Sequence, residues 1–139
     1  MIDIENAVYT QVRNAIKDVF SNVDISNEYT DNPASFPHVS FEMSDNAVHA
    51  PSMTANCREF AANQTFTANV YTTSAQRKSD AKAIADVIDG VMAGLGFRRA
   101  IALQTPNMDR NIYRYTMRYT GLVSLGYDGE AKHYKITAR

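Results

Sequence analysis

One cysteine, no tryptophan, four prolines and six glycines among 139 residues exclude several classes of protein at once. The single thiol, Cys57, cannot form an internal disulfide, which fits a reducing compartment and makes the Asn63-Gln64-Thr65 sequon a coincidence. No apolar run reaches the ~18 residues that a membrane-spanning helix needs. The opening Met1-Ile2-Asp3-Ile4-Glu5 also lacks the basic start and apolar block of a signal peptide. The expectation is a chain made in the cytoplasm, with no membrane partner. Prolines and low-complexity tracts are too few for extended disorder.

Signatures of chemistry are equally sparse. His38, His49 and His133 are scattered, and one cysteine cannot complete a structural zinc site. The glycines stand singly, as at Gly90, Gly94 and Gly96, and never form a phosphate-cradling loop. Cys57 with His49 could be drawn as nucleophile and base, but no local feature activates the thiol. Asp80, Asp86 and Asp89 fall where the wet side of a helix would lie. No catalytic, cofactor or metal site is expected, and the chain does not read as an enzyme.

What is present is an ordinary globular composition, 45% hydrophobic and 21% charged, sized for one domain over 1–139. The net charge of −1 conceals an uneven distribution. Residues 1–57 hold eight acidic and two basic side chains; residues 58–97 hold four of each; residues 98–139 hold three acidic and eight basic. Such polarity is either a solvated accident or a means of matching one surface to another on a neighbouring copy.

Hydrophobic spacing gives the element order. Val8, Val12, Ala15, Ile16 and Val19 share one stripe of a first helix between Glu5 and Phe20. A short strand is expected within Asn22 to Tyr29, and a strand from Pro37 to Ser44 in which Val39, Phe41 and Met43 alternate with polar residues. Asp45 to Arg58 has no period and reads as a long loop, the best candidate for contacting a partner through Asp45, His49, Met53 and Arg58. Alternation resumes from Glu59 to Thr73. Thr73 and Gln76 then resemble a capping box before a second helix bearing Ala81, Ile84, Ala85, Ile88, Val91, Met92 and Leu95, which Gly96 should close.

Phe97, Arg99, Ile101 and Leu103 alternate with Arg98, Ala100 and Ala102, and a turn at Thr105-Pro106-Asn107-Met108-Asp109 should make a hairpin with the strand that follows. That strand alternates at nearly every step: Tyr113, Tyr115, Met117, Tyr119 and Val123 on one face, Arg114, Thr116, Arg118 and Thr120 on the other. Ser124 to Gly129 breaks the pattern, and Ala131 to Thr137 is either an edge strand or an ordered tail. The fold class is α+β, a mainly antiparallel sheet with two helices on one side, in the order α-β-β-β-α-β-β with a possible extra C-terminal strand. Arginines and tyrosines on one strand invite a nucleic-acid reading. Their alternation onto opposite faces argues instead for tyrosines as core and arginines as a solvated or interfacial face.

Taken together, the helix ending at Val19-Phe20, the strands around Val39-Ser40-Phe41 and Thr65 to Tyr71, the helix closing on Leu95-Gly96-Phe97, and the run from Tyr113 to Gly121 resemble the tail-terminator proteins of long-tailed bacteriophages and prophages. These are also called tail-completion or minor head-tail joining proteins. The likeness spans about Asn6 to Val123 and rests on element order and texture. It implies a structural virion protein that assembles as a hexameric ring on the tail tube, ends tail polymerisation and joins a head-connector protein, with DNA passing through the ring without sequence-specific binding. It carries over no functional residue. On charge alone, Arg98, Arg114, Arg118 and Lys132 of one copy are expected to face Asp24, Glu28, Asp31 or Glu42 of the next. The alternatives are another neck or tail-tube component, or a small nucleic-acid-binding α+β module.

Overall fold

The computed structural model describes residues 1–53, 59–128 and 131–137. Helix α1 (Glu5–Val19) leads through the three-residue strand β1 (Asp24–Ser26) into β2 (His38–Val48) and a 3-10 turn at Ala50–Ser52. Strand β3 (Ala61–Thr72), helix α2 (Arg77–Leu95), and strands β4 (Arg98–Gln104), β5 (Tyr113–Asp128) and β6 (Ala131–Thr137) complete the order. This is the α+β fold and the element order expected from the sequence, with the C-terminal segment as a true strand.

The strands lie side by side as β1-β2-β3-β5-β4, with β6 paired to the outer part of β5. Only β1 and β2 run parallel; the other pairs are antiparallel. Both helices cover the same face. Val8, Val12 and Ile16 of α1 and Ala81, Ile84, Ala85, Ile88 and Met92 of α2 share a core with Val39, Phe41, Phe66, Ala68, Val70, Met117 and Tyr119 of the sheet. Register explains why: Phe41 pairs with Ala68 and Ala68 with Met117, while Met43 pairs with Phe66 and Phe66 with Tyr119, so one face is apolar across three strands.

Several boundaries differ from the sequence expectation. The reading of 45–58 as loop is corrected at its start, because β2 continues to Val48 through a bulge between Met43 and Asp45. The bulge shifts phase and turns Asn46 inward, where its Nδ2 donates to the Ile2 carbonyl at 2.8 Å beside a 3.1 Å bond from the fully buried Gln64 Nε2 to the same oxygen. Two polar residues on the core face hide the alternation. Asp45 is therefore a strand residue, and Arg58 lies outside the described residues. Strand β4 is bulged between Arg99 and Ile101, so Arg99 joins the helix face while Arg98, Ile101 and Leu103 share the other, unlike the simple alternation expected.

The capping box does not form either. Helix α2 starts at Arg77 with no side-chain cap from Gln76; Ser74 Oγ bonds Asp80 Oδ2 at 2.6 Å instead. Its other end is as expected: Gly96 has φ 100°, and Phe97 N–H returns to the Met92 carbonyl at 3.0 Å. Strand β5 does not break at Ser124, since backbone pairing with β6 carries it through Gly126 to Asp128.

Gly121 has a packing reason. A Cβ there would stand 2.7 Å from Phe97 Cδ1. Phe97 is itself fixed edge-on to Phe66 at 5.2 Å. Gly121→Ala is expected to destabilise the fold by about 1–3 kcal/mol through overpacking, read as a lower urea midpoint with unchanged slope.

Candidate functional site

Among the described residues no helix covers the second face of the sheet, and Asp24, Glu42, Asp45, Arg98, Arg114 and Arg118 stand on it. Pairing partners stand opposite one another and share a face, so the register can be read in rows from β1 and β2 across to β5 and β4. One row runs Asp45, Thr65, Thr120, Arg98. The next runs Glu42, Thr67, Arg118, Ile101. A third, Ser26, Ser40, Asn69, Thr116, Leu103, carries no charge. The fourth runs Asp24, His38, Tyr71, Arg114. Each charged row has an acid at the β1–β2 side, an uncharged residue on β3 and an arginine on β5 or β4. The acidic start and basic end of the chain thus become opposite borders of one surface.

These charges are not equally available. Arg114 is half-buried: its Nε donates to Asn69 Oδ1 at 3.1 Å, and its guanidinium carbon lies 5.4 Å from the Tyr29 ring centre and 5.8 Å from that of Tyr71. Asn69 Oδ1 also accepts from Thr116 Oγ1 at 2.8 Å, and Thr116 in turn accepts from Thr105 Oγ1 at 2.7 Å. Tyr71 donates to the Thr30 carbonyl at 2.8 Å, and Tyr29 donates to Asp31. The connection after β1 is thereby clamped onto the face, and its Asp31 and Asn32 share a cleft with Asn107, Met108 and Asp109. Arg114 and Asp31 are engaged within one chain. Glu28, Asp45, Arg98 and Arg118 are exposed, and Glu42 is half-buried. Lys132 stands opposite Tyr127 on β6, apart from the arginine rows.

Asp24 is also engaged. Its Oδ2 meets His38 Nδ1 at 3.2 Å and accepts from Ser35 Oγ at 3.2 Å. Burial works to raise this carboxyl, but the bonds from Ser35 and His38 and the His38 charge hold it below the usual value. On the other side of the ring, His38 Nε2 lies 3.4 Å from Ser26 Oγ. Carboxylate, imidazole and hydroxyl in that order are the parts of a serine hydrolase, an arrangement with no local signal in the sequence because it depends on the β1–β2 pairing. The serine proton goes elsewhere, donated to the Glu28 carbonyl at 2.9 Å. The trio ties a three-residue strand to its neighbour. No cluster of three or more histidine, cysteine or acidic residues among the described residues could hold a metal.

At the end of the sheet where β2 passes to β3, the expected contact segment keeps part of its character. Met53 is exposed after the 3-10 turn, with Val48 and Phe60 exposed beside it in sequence. Phe60 precedes β3 and faces solvent. His49 is half-buried, its N–H donating to the Ala61 carbonyl at 2.9 Å.

Two outcomes follow from the clamp. Arg114→Ala is expected to cost about 2 kcal/mol, since it strips a charged hydrogen bond and two ring contacts from a half-buried site, whereas Arg118→Ala should stay within about 0.5 kcal/mol; urea titration of both variants compares them. Burial, partly opposed by Arg114, pushes the Tyr71 phenol from 10.0 up to about 12. The folded state then keeps the neutral phenol while the unfolded chain ionises, so this stabilisation is whole below pH 10 and is lost as pH rises to about 12. Thermal melts across that range should fall less steeply for Tyr71→Phe than for the parent.

Compared with models of known protein families and with curated proteins, the chain matches none.

Proposed function

We propose that this protein is a structural subunit of a phage tail, forming a ring that caps the tail tube, ends its polymerisation and joins it to the head connector. The observation that carries this reading is the row pattern of the open face, acid on the β1–β2 side and arginine on the β5–β4 side. A closed ring requires heterologous contacts, in which one patch of each copy meets a different patch of the next. Glu42 and Asp45 on the β2 side and Arg98 and Arg118 on the β5–β4 side offer two such patches of opposite sign.

The role is mechanical rather than enzymatic. The exposed Val48, Met53 and Phe60 lie near the β2–β3 end of the sheet, where a partner such as the tube or connector protein can cover apolar surface. The nucleic-acid alternative fares worse on β5, whose Tyr113 and Tyr119 are 7% and 1% exposed on the helix side and so cannot stack bases. DNA would pass through the ring without base-specific contact, and the protein would reside in the virion at the head-tail junction.

The test is absolute mass by light scattering after size exclusion, over a concentration series at low and moderate salt. The expected result is a species near six times the 15.5 kDa chain that dissociates as salt rises. Unlimited growth into tubes would assign the protein to the tube itself, and a monomer at every concentration, with or without added tail tubes, would overturn the ring.

A further inference from the structure

The sheet has two open edges. Strand β1 covers β2 only from His38 to Ser40, and among the described residues no strand pairs with the outer edge of β2 from Phe41 to Val48. At the other border, among the described residues, β4 pairs with β5 alone. Open edges present unpaired N–H and C=O groups and template pairing with another chain.

These edges match one another in three ways. They are level: the row that contains Asp45 on β2 ends at Arg98 on β4. Both are bulged at nearly the same height, between Met43 and Asp45 and between Arg99 and Ile101. They also differ in sign, since the open part of β2 carries Glu42 and Asp45 and no basic residue, whereas β4 carries Arg98 and Arg99 and no acidic one. Bulges and charged side chains also guard the edges of monomers, and charges repel a second copy where both edges carry the same sign. Opposite signs on the two edges attract one head to tail.

We infer that the β4 edge of one copy pairs with the open β2 edge of the next, so that the sheet continues from subunit to subunit. This rests on the ring reading and names its contact. With β2 and β4 antiparallel within one sheet, translation around a ring whose axis follows the strands brings the two edges together antiparallel, the arrangement with perpendicular ladder bonds. Arg98 then stands beside Asp45 of the neighbour. Part of the β2 edge is already engaged, Met43 N–H donating to Glu5 Oε1 at 3.0 Å, so pairing falls chiefly on Ser44 to Val48.

Introduced cysteines test the geometry. Within one chain Asp45 and Arg98 are separated by three strand spacings, about 14 Å, beyond the ~7 Å limit for a disulfide. In a Cys57→Ser background, Asp45→Cys with Arg98→Cys should therefore link only between copies, giving under mild oxidation a ladder that stops at the ring. Ala47→Cys with Arg98→Cys covers a two-residue change of register. Mixing the two single-cysteine proteins should stop at a dimer. A doubly substituted protein that yields only dimers would reveal face-to-face pairing and overturn the inference. Absence of links in both registers, with the ring mass intact, would overturn edge pairing while leaving the ring reading in place. Should the variants fail to fold, hydrogen exchange on the unsubstituted chain decides: amides of 44–48 and 98–102 should slow at least tenfold on going from dilute to concentrated protein, and unchanged rates would overturn the pairing.

Discussion

The register of the sixteen-residue strand β5 is the constraint from which most of the molecule follows. It is bordered by β3 on one side and by β4 and then β6 on the other, so its alternation is imposed on three neighbours together. A slip of one residue would send Met117 and Tyr119 into water and bring Arg114 and Arg118 under the helices. Tyr119 shows how firmly this is set: it is fully buried, and its hydroxyl donates to Asp89 Oδ1 at 3.0 Å, which in turn pairs with Arg99 at 3.1 Å. Burial, reinforced by that carboxylate, raises the phenol far above its ordinary value and keeps it a neutral donor. One side chain thus locks β5 to α2 and, through Asp89, to β4.

Fixing that register also fixes the opposite face. Because β2, β3, β5 and β4 pair row by row, the linear separation of acids and bases along the chain is converted into a separation across the sheet, with β3 as a neutral divider. The conversion is geometric. It requires that acidic β2 and basic β4 and β5 lie on opposite sides of β3, which the order β1-β2-β3-β5-β4 supplies. Had β4 paired with β2, the same residues would neutralise one another within the chain.

Elements whose burial follows period were legible from the sequence: both helices, the core of β2, β3 and the two-faced part of β5. The misses have a common cause, a local feature that changes phase or inserts polarity. The bulges at Ser44 and Ala100 displaced the alternation of β2 and β4 by one residue. Gln64 and Asn46 occupy core-side positions because the Ile2 carbonyl arrives there from 62 and 44 residues away, a partner that no local window contains. The stretch from Ser124 to Gly129 reads as an interruption, yet pairing with β6 carries β5 through Gly126 to Asp128, and Gly121 within the strand admits Phe97 by lacking a side chain. Among the candidate site residues, the charge polarity was visible and its division of labour was not. Arg114 and Arg118 are equivalent by alternation, but only Arg114 meets a loop from across the sheet.

That division bears on how such a face would be used. A charge already held by hydrogen bonds and aromatic rings gains little from a partner and loses those contacts if drawn away, so it contributes shape and rigidity instead. The exposed charges at the borders carry no such cost and can answer a neighbour. Arg114 and its ring contacts stiffen one end of the open face, while Glu42 and Asp45 on β2 and Arg98 on β4 lie at the open edges and Arg118 is exposed one strand inside β4. Rigidity matters more for a closed assembly than for a filament. An angular error at each contact accumulates around the ring, and a fixed sheet between two complementary edges holds that error small at every step.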